Sequence, residues 1–309
     1  WVMAYTTIDD PSAHFQTATY TGNVTDREIT NDGNSDLQPD LIWFKNRDTT
    51  NDHEVFDSSR GKTRRLIVNS TAADSDSDTR VRDFNTDGFD CGTDPSANGD
   101  GNAMVAWQWK ANGGTTASNT EGTNITSTVQ ANTTAGFSIV TFTGTANDGD
   151  SYGHGLSSAP ELVIPKKRSG TSNWQGYAFD GGNSQYFYLN LTNAFASTAG
   201  NSAASSSSVI TTDGSGDSNP DGGTVVSYCF HSVQGYSKIG RYTGNGNVDG
   251  PFVYTGFKPA WFMIKRTDAA SYWTIFDNKR GPFNEIVNSL DANVSNAEET
   301  GTSVNDTEN

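Results

Sequence analysis

The apolar residues of this chain fall in short runs between long polar stretches, and none recurs at helical spacing. Leu41-Ile42-Trp43-Phe44, Leu162-Val163-Ile164 and Trp261-Phe262-Met263-Ile264 are nearly unbroken, the pattern of strands covered on both faces. Pro39, Pro160 and Pro259 lead these runs, where a missing N–H does least harm to a strand ladder. His53–Asp57 and Leu66–Asn69 predict two more strands around the turn Ser58-Ser59-Arg60-Gly61. Arg80–Phe84 and Gly88–Gly92 flank Asn85-Thr86-Asp87, and Ala103–Lys110 places Trp107 and Trp109 on one face at period two. About seven short strands in roughly 95 residues predict a small β-sandwich.

The same order of features occurs three times. Tyr20-Thr21-Gly22, Phe142-Thr143-Gly144 and Tyr242-Thr243-Gly244 open the copies, and the proline-led runs follow. Each run ends in basic residues: Lys45/Arg47, Lys166/Arg168 and Lys265/Arg266. Phe56-Asp57, Phe179-Asp180 and Phe276-Asp277 come 18, 20 and 18 residues after the leading proline. Leu66-Ile67-Val68-Asn69, Tyr188-Leu189-Asn190 and Ile286-Val287-Asn288 complete the match. The expected organisation is an all-β chain of three tandem β-sandwich repeats, jelly-roll or immunoglobulin-like: 16–110, 136–235 and 236–309, with a polar linker at 111–135. Residues 1–15 are a surplus segment.

The third copy ends early. Thr302–Asp306 can match the Arg80–Phe84 strand, but no counterpart of the closing strand Ala103–Lys110, or of Thr224–Phe230 in the second copy, follows. Trp1-Val2-Met3-Ala4-Tyr5 resembles Met104-Val105-Ala106-Trp107 and Val225-Val226-Ser227-Tyr228. Tyr5 precedes Tyr20 by 15 residues and Tyr228 precedes Tyr242 by 14. Three explanations stand. The segment Trp1, Val2, Met3, Ala4 and Tyr5 of one subunit completes the third sandwich of its neighbour, against an acceptor edge at Thr302, Ser303 and Val304. Alternatively, the chain is one window of a longer array, as its start at Trp1 also allows, or the third sandwich closes within the chain. The first makes a head-to-tail homopolymer.

Composition narrows the function. Hydrophobic residues make up 33% of the chain, yet aromatics reach 11%, too many for a disordered polymer. A net charge of −16 argues against nucleic acid and against an anionic membrane surface, and no run is long enough for a membrane helix. Cys91 and Cys229 make no disulfide framework and are expected to be buried and unpaired.

Candidate chemistry is sparse. The basic pairs are expected to cap their strands and to pair with Asp57, Asp180 and Asp277. Asn98–Asn102, Asn147–Asp150 and Asp213–Asp221 have oxygens at short spacing, as calcium requires, but turn chemistry explains them equally well; no cofactor other than Ca²⁺ is in prospect. His14, His53, His154 and His231 show no metal spacing, and no nucleophile elbow accompanies His53 between Asp52 and Glu54. No catalytic residue is assigned. Among the Asn-x-Ser/Thr sites, Asn124 and Asn132 in the expected linker are the candidates for glycosylation. Trp174 and Trp273 occupy matching places and are expected in the core.

Asp40–Arg60, Gly136-Phe137-Ser138-Ile139-Val140 and His154-Gly155-Leu156 resemble an uncharacterised repeat domain of virion and tail-associated proteins of aquatic and marine phages and of related environmental proteins. The resemblance implies a structural or adhesive role, extracellular or on a virion surface, and brings no established catalytic activity to carry over; the chain is expected not to be an enzyme. The expected function is a fibre subunit whose partner is itself, the alternative a tail adhesin for a cell-surface glycan or receptor.

Overall fold

The computed structural model describes residues 5–180, 183–198, 202–247, 250–281 and 286–300. It is an all-β, sandwich-like fold. Its two described helical turns, Pro11–Ala13 and Pro95–Asn98, each begin with proline and are capped by an aspartate, Asp10 or Asp94, whose side chain accepts the amide of Ser12 or Ser96.

The first unit contains β1 (Phe15–Thr21), β2 (Arg27–Ile29), β3 (Leu41–Asn46), β4 (Glu54–Asp57), β5 (Arg64–Ile67), β6 (Ser75–Asp76), β7 (Val81–Phe84), β8 (Phe89–Cys91) and β9 (Ala103–Trp109). A six-stranded sheet runs β1-β9-β3-β4-β5-β6, and β2-β8-β7 forms a small sheet. The second unit contains β10 (Ala117–Asn119), β11 (Ser127–Asn132), β12 (Phe137–Thr143), β13 (Asp148–Gly153), β14 (Leu162–Lys167), β15 (Gln175–Asp180), β16 (Asn183–Tyr188), β17 (Ala196–Ser197), β18 (Ala204–Ser205), β19 (Val209–Asp213) and β20 (Thr224–Phe230). Its eight-stranded sheet runs β10-β11-β12-β20-β14-β15-β16-β17, beside the small sheet β13-β19-β18. The third unit is one described sheet, β21 (Trp261–Lys265), β22 (Trp273–Asp277), β23 (Asn288–Asp291) and β24 (Glu299–Thr300). The expected linker is a correction: within it Ala117–Asn119 forms β10, which pairs with β11, and Ser127–Asn132 forms β11, which also pairs with β12.

The closing strand is central in each complete sheet. β9 lies between β1 and β3, and β20 between β12 and β14. The chain turns back toward the closing strand through the repeated Tyr/Phe-Thr-Gly. A Cβ on Gly22 would stand 2.1 Å from the Gly99 carbonyl oxygen, and one on Gly144 2.3 Å from that of Pro220. Only glycine permits this approach.

Period-two alternation gives each large sheet two apolar faces. Ile42, Phe44, Phe56 and Ala106 meet Ile29, Val81 and Phe89 of the first small sheet, forming one sandwich core. Val140, Phe142, Val163, Tyr177 and Val225 meet Tyr152 and Ile210 in a second. The opposite faces pack together in a common core: Trp43, Val55, Leu66 and Trp107 with Ile139, Ile164, Trp174, Phe187 and Tyr228, and with Trp273, Ile275 and Leu290. The units are therefore not beads on a string.

Equivalent hydrogen bonds join them in a ring. The backbone amides of Asp74, Phe195 and Glu298 donate to the carbonyls of Arg168, Thr267 and Arg47, at 3.2, 2.8 and 2.7 Å. First contacts second, second contacts third, and third contacts first. Trp174 Nε1 donates to the Ile67 carbonyl and Trp273 Nε1 to that of Tyr188, at 2.9 and 3.0 Å. These rings are buried, as expected of Trp174 and Trp273. The third asparagine match is corrected here. Asn69, Asn190 and Asn293 accept the amides of His53, Trp174 and Trp273, so Asn293, not Asn288, is the counterpart of Asn69.

Two buried turns lock the ring. Asp57 accepts Arg60 Nε at 2.5 Å and the Tyr228 hydroxyl at 2.7 Å. Asp277 accepts Arg280 Nε at 2.6 Å and Trp107 Nε1 at 2.9 Å. Each closing-strand aromatic thus reaches into the turn of another unit. Burial raises the Tyr228 hydroxyl well above its ordinary pKa, so it remains a donor. Asp57→Ala strands the Arg60 charge in the core and is expected to cost about 3–5 kcal/mol in urea unfolding. Removing the exposed Lys62–Asp83 pair should cost less than about 1 kcal/mol.

Candidate functional site

β21 is the third counterpart of β3 and β14, but it pairs only with β22. No described strand lies on its other edge, where β9 and β20 stand in the complete sheets. The same apolar run that is buried in β3 is half-buried throughout β21. On one face Trp261 packs at 5.5 Å from the Trp109 ring and 6.3 Å from Phe15. Its Nε1 is buried with no hydrogen-bond partner, a cost that an incoming carbonyl would remove. On the other face Phe262 stacks on Phe276 at 5.1 Å, and no small sheet covers them among the described residues. Nearby in sequence, Phe252 and Tyr254 are 90% and 72% exposed. Among the described strands this edge has no second neighbour, and it combines half-covered apolar side chains with an orphaned donor, features that invite another strand.

Of the expected donor segment, Trp1, Val2, Met3 and Ala4 lie outside the described residues, as do Thr302, Ser303 and Val304 of the expected acceptor edge. Tyr5 is exposed, and its side chain stands against Gly235 and Gly256. The expected acceptor residues align in sequence with β7, which belongs to a small sheet, whereas closing strands pair with β3 and β14. The third counterpart of β3 and β14 is β21. Sequence reading missed this because the closing strand is last in each complete copy but interior in its sheet.

The other candidates serve the fold. Lys45 and Lys166 are fully buried. Lys45 Nζ donates to the carbonyls of Asn46 and Thr49, and Lys166 Nζ to those of Lys167, Ser172 and Thr71. Lys265 Nζ likewise donates to the carbonyls of Arg266, Ala269 and Thr192. The expected pairing with Asp57 and Asp277 is replaced by ring contacts: Arg47 bonds Glu298 at 2.5 Å and Arg168 bonds Asp74 at 2.8 Å. The side chain of Asp180 lies outside the described residues.

The oxygen-rich clusters hold turns. Asp150 accepts Asn124, Thr145 and Asn147; Asp213 accepts Gln175, Tyr177 and Ser215. Asn98 Oδ1 accepts the Asn23 amide. Among the described residues, no group of three or more His, Cys, Asp or Glu is placed to hold a metal ion. Asn124 Nδ2 donates to Asp150 and Asn132 Nδ2 to the Lys110 carbonyl, so both amide nitrogens proposed for glycosylation are engaged within the fold. His53 Nδ1 accepts Trp43 Nε1 at 3.1 Å, and burial holds the ring's pKa well below its ordinary value. Cys91 and Cys229 are free and buried, their thiols pushed up to about 11 and about 12 by burial.

Burial lowers Lys45 and Lys166 from 10.5 to about 8. Below that pH the folded chain bears the full cost of their charge. Between about pH 8 and pH 10.5 the unfolded chain holds the protons more tightly, so their contribution to stability rises with pH. In urea unfolding, the stability of the native chain relative to Lys166→Met should shift in favour of the native chain across this window. A pH-independent difference would contradict the assignment.

No curated protein and no solved structure matches this chain. One family match, described as a domain of unknown function, DUF7483, runs through all three large sheets, from residue 10 to residue 308. A shared core, a ring of equivalent contacts and a match of this extent define one family domain: the chain belongs to the DUF7483 family.

Proposed function

We propose that this chain is a non-catalytic structural subunit of an extracellular or virion-associated fibre, joined head to tail by a β-strand that each copy adds to the outer edge of β21 in the next. The observation that carries this reading is the half-buried run Trp261, Phe262, Met263 and Ile264 on a strand with one neighbour among the described strands. Strand addition would pair the backbone and cover these side chains together. Contact between two different surfaces of one chain is heterologous and propagates unless its rotation closes a ring. The buried titratable groups support a non-catalytic role, because Asp57, Arg60, His53, Lys45 and Lys166 are engaged in packing and hydrogen bonds. A net charge of −16 keeps the rest of the surface repulsive.

The exposed rings of Phe252 and Tyr254 favour a second reading, a tail adhesin whose aromatics stack on a cell-surface sugar. Glycan-array binding lost on Tyr254→Ala would establish it.

Electron microscopy of the purified chain should show filaments. Deleting residues 1–5, which leaves buried Ile8 in place, should yield subunits with unchanged circular dichroism that no longer polymerise. Filaments from the truncated chain would exclude this strand as the joint.

A further inference from the structure

We propose that the open side of the first sandwich is a binding site for a sugar that carries a single carboxylate, held by Arg27. The site lies away from β21 and does not depend on fibre assembly.

A cavity opens there between two edge strands. β1 ends the six-stranded sheet, and β2 ends the small sheet that packs against it. The space between them is about 390 Å³, lined by Thr19 and Tyr20 of β1, Arg27 and Glu28 of β2, and Thr30 and Asp32 beyond it. Small-molecule sites begin at about 300 Å³.

Arg27 is the uncommitted group in this cavity. Three carboxylates lie near it in sequence, and each is turned to another residue: Asp26 to Arg82 at 3.1 Å, Glu28 to Asn85 at 3.3 Å and Asp32 to Lys279 at 2.6 Å. The Arg27 guanidinium stands instead over the Tyr20 ring, 5.2 Å from its centroid. Its Nε is buried with no hydrogen-bond partner, a cost that an incoming acceptor would remove. In a chain of net charge −16, an arginine that none of these acids engages keeps its planar fork for a carboxylate from outside.

The second unit closes the same place. Phe142 is the counterpart of Tyr20, and β13 stands where β2 does. There Tyr152 of β13 stacks on Phe142 at 4.3 Å, and β11 lies along the outer edge of β12. Two packed aromatics thus fill what a tyrosine and an arginine leave open. The cavity belongs to one copy and is not a product of the repeat.

Its lining selects the ligand. Glu28 and Asp32 accept hydrogen bonds and repel surplus negative charge, and the hydroxyls of Thr19 and Thr30 donate and accept. Sulfate brings charge without donors. A pyranose with one carboxylate brings both, the carboxylate for Arg27 and hydroxyls for the other four. The net charge of the chain disfavours a polyanion, so the acid is a single unit on an otherwise neutral glycan. Lys279, from the turn after β22, sets a second cation at the rim through its exposed pair with Asp32, which a ligand exchanges at little cost.

Calorimetric titration of the full chain with methyl glucuronoside should show saturable binding, about tenfold or more tighter than methyl glucoside or inorganic sulfate. Arg27→Gln, with unchanged circular dichroism, should weaken glucuronoside binding about tenfold or more. Arg27→Lys, which keeps the charge and loses the fork, should recover only part of it. Absence of saturable binding overturns the site, as does equal binding of the glucoside or of sulfate, or full binding by Arg27→Gln. One readout needs no variant: bound glucuronoside should slow modification of Arg27 by phenylglyoxal, located by mass spectrometry of the digested chain. An unchanged rate overturns the assignment. Filament formation should be the same in Arg27→Gln as in the native chain, so failure of the sugar site leaves the fibre reading standing.

Discussion

A large sheet that is apolar on both faces needs two covers, and the rest of the structure follows from how those covers are found. The six- and eight-stranded sheets each gain one from a small sheet of their own unit. The second cover comes from the other units, whose inner faces meet in a single core. Burying a large apolar side chain is worth about 1.5–3 kcal/mol, so separating the units would expose Trp43, Trp107, Trp174, Tyr228 and Trp273 together. This is why the repeats behave as one body although their sequences read as three.

Polar groups fix the arrangement that burial makes favourable. Hydrophobic contact has little direction, but an aspartate that accepts both an arginine of its own turn and an aromatic donor of another unit does. Burying such a pair is expensive and removing one partner more so, which makes these turns position markers as much as sources of stability. The backbone hydrogen bonds from Asp74, Phe195 and Glu298 repeat the same relation three times. The second unit departs from it in composition, since no arginine follows Phe179-Asp180 before Tyr188.

The third unit shows what happens when one cover and one neighbour are not among the described elements. The run Trp261–Ile264 has the same chemistry as Leu41–Phe44, yet it is half-buried where the other is buried. Exposure here is a property of the surroundings, not of the residues. The proposed assembly therefore uses a strand whose sequence looks like core.

Much of the fold was legible along the chain. Period-two alternation, glycine and proline punctuation and the repeated motifs located the strands, because these signals act over a few residues. The expected closing strands coincide with β9 and β20 to within a residue, and burial of both cysteines followed from their strand context. The polar 111–135 stretch misled, since β11 forms by pairing with β12 and β10 by pairing with β11, and both carry little apolar signal of their own. The site was less legible. Resemblance of Met3-Ala4-Tyr5 to the closing strands is a local fact, but which strand lacks a neighbour depends on pairings more than 50 residues apart, such as β3 with β9. Sequence by itself determined the strands, their two-faced character and their threefold recurrence. Only the tertiary structure decided that three sheets share one core and that β21 has a single neighbour among the described strands, because sheet order and face-to-face packing are set by contacts between distant residues.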